Sequence, residues 1–216
     1  MDVTGQINAV HRRIGDRALE AGEGRVLTIA QTYDAAPEDV WDALTNAERI
    51  PRWFMPISGE LRVGGRYQLE GNAGGTIERC DPPKFFSATW EYGEGMSWIE
   101  VRLTPDGDGT RFELQHIAPV AGSDEFWDTF GPGAVGIGWD LGVLGLALHL
   151  GSGESLKPED APAWLLSDEG KSFVAESSLR WRDASVAFGT DEAAATAAAD
   201  RSTAAYTASP EAPAES

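Results

Sequence analysis

Three histidines, His11, His116 and His149, and a single cysteine, Cys80, are the residues of this chain with the widest chemical range. Zinc sites gather several such ligands at short, regular spacing. No two of these four are placed that way, so no metal site is expected. Covalent catalysis needs a nucleophile, a base and a group that orients the base. The sequence has no Gly-x-Ser-x-Gly elbow, and Cys80 has no histidine near it in sequence. It reads as a small, buried strand residue. Asp106-Gly107-Asp108-Gly109 supplies too few carboxylates for a calcium loop and reads as a turn. Gly71-Asn72-Ala73-Gly74-Gly75 has the glycines of a phosphate loop but lies between strands, without the lysine and helix such loops require. The expectation is therefore no catalytic residue and no cofactor.

Polar groups on otherwise apolar faces remain as candidates. His116 shares a strand face with Phe112 and Leu114, opposite Glu113 and Gln115. It could anchor a ligand or exchange protons inside a cavity, or it could be a core histidine satisfied by its neighbours. Gln31 is a similar lone inward group on the first strand. Asp140 lies beside Trp139 in an apolar helix and is expected on that helix's solvent side. A placement in the cavity would instead raise its pKa. Eight tryptophans give the chain many large, rigid rings, suited to lining an apolar pocket. Gln31, Trp53, Tyr67, Trp90, His116, Trp139 and Val143 are the expected ligand-binding residues.

These side chains have to be positioned by elements that the sequence also marks. Ile7, Val10, Ile14 and Ala18 fall at helical spacing, which predicts an amphipathic N-terminal helix over residues 6–20. RVLTIAQTYD (25–34) reads as a strand. Pro37, with Glu38 and Asp39 behind it, suits a helix start, and Pro51 divides the helical stretch into two short helices, about 37–46 and 48–54. From residue 57 to 117 short strands alternate with glycine turns, an antiparallel meander of about six strands in which ELRV meets RYQLEG across Gly64-Gly65. Apolar helices over 134–150 and 168–188 come next, then an alanine-rich helix ending near Tyr206. Gly189 is the expected stop of the second and Thr190 the cap of the third. The tail from residue 208 to 216 is expected to be disordered.

Composition sets the outer bounds. Hydrophobic residues make up 42% and charged residues 24% of the 216 residues, as in an ordinary globular domain. A net charge of −18, from 17 Lys+Arg against 35 Asp+Glu, argues against nucleic acid and anionic membrane surfaces as partners. The first residues lack the apolar stretch of a secretory signal, and one cysteine suits a reducing compartment, so a cytoplasmic location is expected. Residues 130–150 approach transmembrane length, but six glycines and the central Asp140 favour a buried core helix.

TYDAAPEDVWDALTNAERIPRWF, followed by GGRYQLEG, ATWEY, RLTPDGDGTRFELQH and GWDLGVLGLALHL, resembles the SRPBCC (START-like) superfamily. Within it, the chain is most similar to single-domain bacterial proteins grouped with the activator of heat-shock-protein-90 ATPase. The resemblance covers about residues 25–150. It implies an α+β helix-grip fold, a curved antiparallel sheet wrapped around a long C-terminal helix, with a cavity between them. Members bind lipids, sterols, hormones or polyketides, and some are enzymes. The N-terminal helix (1–24) and the helical extension (151–207) stand outside the minimal domain.

Binding of a small apolar molecule is the leading expectation. A cavity-based enzyme of the cyclase or hydrolase kind would need a titratable pair, and His116 with Asp140 or Glu78 is the only visible one. A chaperone accessory would need an exposed apolar patch or a dimer, and a homodimer stays open.

Overall fold

The computed structural model describes residues 2–20, 22–120, 125–151 and 161–208. Asp2 caps a short helix α1 (Val3–Ala9), its carboxylate accepting from the Gly5 amide at 2.8 Å. Strands β1 (His11–Leu19) and β2 (Gly22–Tyr33) follow, then helix α2 (Pro37–Thr45) and a one-turn 3-10 helix, η1 (Ile50–Arg52). Six further strands run as a meander: β3 (Ile57–Gly59), β4 (Arg66–Leu69), β5 (Gly74–Asp81), β6 (Phe85–Tyr92), β7 (Gly95–Asp106) and β8 (Gly109–Pro119). Among the described residues, five helices follow: α3 (Glu125–Phe130), α4 (Gly133–Gly151), α5 (Ala161–Leu166), α6 (Asp168–Phe188) and α7 (Glu192–Thr207). The strands form one antiparallel sheet in the order β1-β2-β8-β7-β6-β5-β4-β3, and α4 lies along its inner face. The fold class is the expected α+β helix-grip.

The N-terminal helix expected over 6–20 is a correction. Only Val3–Ala9 is helical, and His11–Leu19 pairs with β2 along its length, from His11↔Ala30 to Leu19↔Gly22. Four apolar residues at helical spacing are a thin signal, and pairing with the β-rich run of β2 overrides it. Of the apolar positions in β1, Ile14 alone is buried, while the exposed Arg13 and Asp16 suit a strand at a sheet edge. The ELRV strand is a second correction. Residues 60–65 form a turn, and β3, just before it, pairs with β4 through Ile57↔Leu69 and Gly59↔Tyr67.

Helix α4 is apolar on opposite sides because it packs on both the sheet and the helices α1 and α6. Val143 and Leu146 pack with sheet residues such as Leu103 and Phe112. Leu141, Leu144 and Leu148 pack with Val3 and Ile7 of α1 and Phe173 of α6. Two glycines allow close approach: a Cβ on Gly136 would overlap the Trp181 indole, and one on Gly145 would overlap the Trp53 carbonyl oxygen. Helix α6 ends at Gly189, with φ 111° in the left-handed region, as expected. Asp191, not Thr190, caps α7, accepting from the Ala194 amide. That helix is tied back by Ser202 to the Phe130 carbonyl (2.7 Å) and by Tyr206 to the Ala134 carbonyl (2.9 Å). The tail expected to be disordered lies, apart from Ala208, outside the described residues.

Candidate ligand cavity

Strand alternation sends one face of the meander inward, and α2 and α4 close over it. Between them is a cavity of about 300 Å³. Phe86, Ala88 and Trp90 of β6 form one wall with Ile99 and Val101 of β7. Tyr67 and Leu69 of β4 and Phe112 and Leu114 of β8 flank it. Trp139, Gly142, Val143 and Leu146 of α4 lie opposite, and Trp41, Leu44 and Thr45 come from one side of α2. Trp53 and Phe54 enter directly after η1. Leu61, Arg62, Cys80 and Pro82 also line it, and Arg62, Cys80 and Pro82 are exposed, so these residues form the mouth.

The rings form a connected set. Trp53 and Phe54 stack at 5.3 Å between centroids, and Phe54 lies nearly parallel to Trp139 at 6.3 Å and 11°. Trp139 meets Trp90 at 4.9 Å. Much of this wall turns its heteroatoms into the protein. Trp53 Nε1 donates to the Ala43 carbonyl at 2.8 Å, Tyr67 Oη to the Thr89 carbonyl at 2.7 Å, and Trp139 Nε1 to His116 Nδ1 at 3.0 Å. Burial, the largest cause, pushes the Tyr67 phenol well above its ordinary range, so it stays neutral. What remains facing the cavity is predominantly carbon.

Five of the seven expected binding residues line the cavity: Trp53, Tyr67, Trp90, Trp139 and Val143. Gln31 and His116 do not. Gln31 exchanges amide hydrogen bonds with Gln6 of α1, at 2.9 and 3.3 Å. Its side chain is buried, but it faces α1 and not the cavity lining. His116 lies behind Trp139, with Nδ1 accepting from that indole and Nε2 2.8 Å from Ser97 Oγ. Burial alone pushes its pKa down to about 4, so the ring is neutral at ordinary pH.

Three other sequence expectations change. Asp140 is buried, not on a solvent side, and it faces away from the cavity toward Arg12, Ser177 and Trp181. Glu78 is exposed on β5. The His116–carboxylate pair that cavity chemistry would need is therefore not assembled. Cys80 is exposed at the mouth and not buried in the sheet, and partial burial and the Asp81 charge both raise its thiol pKa. Among the described residues, no cluster of His, Cys, Asp and Glu could hold a metal ion.

Sequence reasoning misses Trp41 and Phe54 as cavity residues, although the Trp41, Leu44, Thr45 spacing on α2 carries the signal for the first. It also misses the mouth, because residues 60–63 read as a strand.

Residues 34–138 match the family described as "Activator of Hsp90 ATPase homolog 1-like protein". CalU16 from Micromonospora echinospora is 34% identical in its crystal structure, covering 82% of this chain and 98% of that one, with a TM-score of 0.65. Its solution NMR structure gives 36% identity, 84% and 97% coverage, and a TM-score of 0.68. That coverage takes in more of the chain than residues 25–150 hold. DynU16, from the dynemicin biosynthetic locus, shares the fold at 19% identity and a TM-score of 0.51, covering 60% of this chain and 48% of that one. No curated protein matches the chain.

Proposed function

This chain belongs to the activator of Hsp90 ATPase homolog 1-like family of the SRPBCC superfamily, and on that premise we propose that it binds a small, mainly apolar molecule in the cavity between the sheet and α4. The observation that carries this reading is the character of the lining. A cavity walled by aromatic and aliphatic carbon, with Tyr67, Trp53 and Trp139 bonding into the protein, gains most from a guest with little polar surface. At about 300 Å³ it lies at the small end of ligand cavities, which suits a compact molecule of two or three rings. Each Å² of apolar surface removed from water contributes roughly 25 cal/mol.

The reading is favoured over cavity-based catalysis by a specific contrast. Among the described residues the lining contains no histidine and no carboxylate, and Arg62 at the mouth is its one charged side chain. A second reading, stimulation of an Hsp90 ATPase, draws on the family match over 34–138. It would appear as faster ATP hydrolysis when the chain is added to Hsp90.

The test of the binding reading is titration with N-phenyl-1-naphthylamine, a neutral aromatic dye that fluoresces in apolar surroundings. The expected result is saturable binding of one dye per chain, seen also by native mass spectrometry, with a submillimolar Kd from roughly −0.3 kcal/mol per non-hydrogen atom. Ala88→Phe, which fills the cavity from the β6 wall, should abolish it. Unsaturable dye uptake, or uptake unchanged in the filled variant, would place the dye on the surface and remove the reading.

A further inference from the structure

Behind the apolar wall runs a chain of polar groups that begins at one cavity tryptophan and ends at another. Trp139 Nε1 can only donate, so its 3.0 Å bond makes His116 Nδ1 the acceptor. In the neutral imidazole the proton then resides on Nε2, which donates to Ser97 Oγ at 2.8 Å. The Ser97 hydroxyl in turn donates to the Trp90 carbonyl at 3.1 Å. Every bond in the chain has one permitted direction. The rings match this order: His116 is 5.8 Å from Trp139 and 6.0 Å from Trp90, centroid to centroid.

His116 is 7% exposed and does not line the cavity, whereas Trp139 and Trp90 do. Its backbone is fixed between Leu27 on β2 and Ile99 on β7, in the interior of the sheet. A rotation of the Trp139 indole away from the sheet would leave Nδ1 and the indole N–H without partners in a buried place, which is costly. The relay therefore selects one indole orientation out of those the helix would allow.

We propose that His116 is a positioning residue: held by Ser97, it fixes the Trp139 indole by its hydrogen bond and abuts the Trp90 ring edge-on, and so sets which ring shapes the cavity accepts. This rests on the binding reading above, and the test separates the two.

The first readout needs no ligand. The indole N–H resonance of Trp139 in a proton–nitrogen spectrum, assigned with Trp139→Phe, reports the bond to His116. His116→Asn keeps an acceptor near the place of Nδ1, and His116→Phe removes it. The expected result is a Trp139 resonance largely retained in His116→Asn and shifted toward that of an unbonded indole in His116→Phe, with the other resolved indole signals in place. Ser97→Ala, a smaller change at the far end, should move it in the same direction by less.

The second readout is the affinity for N-phenyl-1-naphthylamine. His116→Phe should weaken it by about tenfold, and His116→Asn by no more than about threefold, the scale of one hydrogen bond lost or kept. If the wild-type chain does not bind the dye, the binding reading fails while the resonance still tests the relay. An unmoved Trp139 resonance in a folded His116→Phe or Ser97→Ala variant would overturn the proposal. So would dye affinities in which the asparagine variant gives no rescue.

Discussion

Arg12 uses its guanidinium in two directions at once. Nε and Nη2 grip the Asp140 carboxylate at 2.7 to 3.1 Å, while Nη1 donates to the carbonyls of Ile7 and Val10 where α1 ends. Asp140 Oδ2 also accepts from Ser177 Oγ at 2.6 Å and Trp181 Nε1 at 2.9 Å. With side chains 3% and 0% exposed, neither charge has water to fall back on. Removing one partner leaves the other charge buried and unpaired, which costs about 3–5 kcal/mol. Arg12→Met and Asp140→Leu should each destabilise by that amount in urea unfolding, while the double variant loses clearly less than their sum. Additive losses would show that the pair is not coupled. The neutral His116 ring gives a second prediction at this scale. Its pKa is held at about 4 in the folded protein against 6.5 ordinarily, so between those values the unfolded chain takes up a proton that the folded chain refuses. The stability it contributes is complete above pH 6.5 and is lost progressively as pH falls toward 4, on the order of 3 kcal/mol. Measured against His116→Asn over that range, the wild type should lose the extra stability, and parallel curves would contradict it. Both partnerships join residues remote in sequence. Strand parity shows that His116 points inward, and nothing in the sequence pairs it with Trp139 or Asp140 with Arg12.

Helix α4 meets the sheet on one side and α1 and α6 on the other, and its glycines set how closely these approach. Gly145 is the sharpest case, because the atom that a Cβ would strike is the Trp53 backbone carbonyl and not a side chain that could swing aside. Gly145→Ala must therefore push the segment after η1 outward, and with it Trp53 and Phe54, which line the cavity. The expected cost is about 1–3 kcal/mol, the range for overpacking, with weakened dye binding as well. Gly151→Ala meets nothing within 4 Å and should not destabilise by more than about 0.5 kcal/mol. Equal effects from the two would show that helix propensity, not close approach, governs this helix. Elements whose signals are local are legible in the sequence: Pro37 opens α2, Gly189 ends α6, and alternation marks the inner faces of β6 to β8. Strand β1 is not, because its identity comes from β2 beside it and not from its own residues. The turn at 60–65 misleads for a related reason: its apolar Leu61 and Val63 alternate as a strand would, yet Leu61 lines the cavity mouth and Val63 is exposed.

At the scale of the molecule, the elements outside residues 25–150 buttress the grip from behind. Helices α1 and α6 cover the far side of α4, and Arg12 of β1 neutralises the one carboxylate in that helix, so the side facing the sheet is free to enclose space. Among the described residues α4 is the one helix long and apolar enough to cross a membrane, and its central aspartate is instead satisfied by an arginine within the same fold. The cavity mouth then offers a direct measure of occupancy, since Cys80 lines it and is exposed. Its thiol pKa is raised by burial and by Asp81, so at pH 7 the thiolate that reacts with maleimides is scarce and labelling is slow enough to follow. A molecule seated in the cavity covers the thiol from within. Labelling of Cys80 should therefore slow as N-phenyl-1-naphthylamine saturates the chain, with half-protection at the Kd found by fluorescence. Fluorescence saturation without protection would mean that the dye sits deep, against Trp139 and Trp90, and leaves the mouth open. Protection at concentrations far from the Kd would mean that the thiol reports a surface site, and the cavity would lose its claim to the dye.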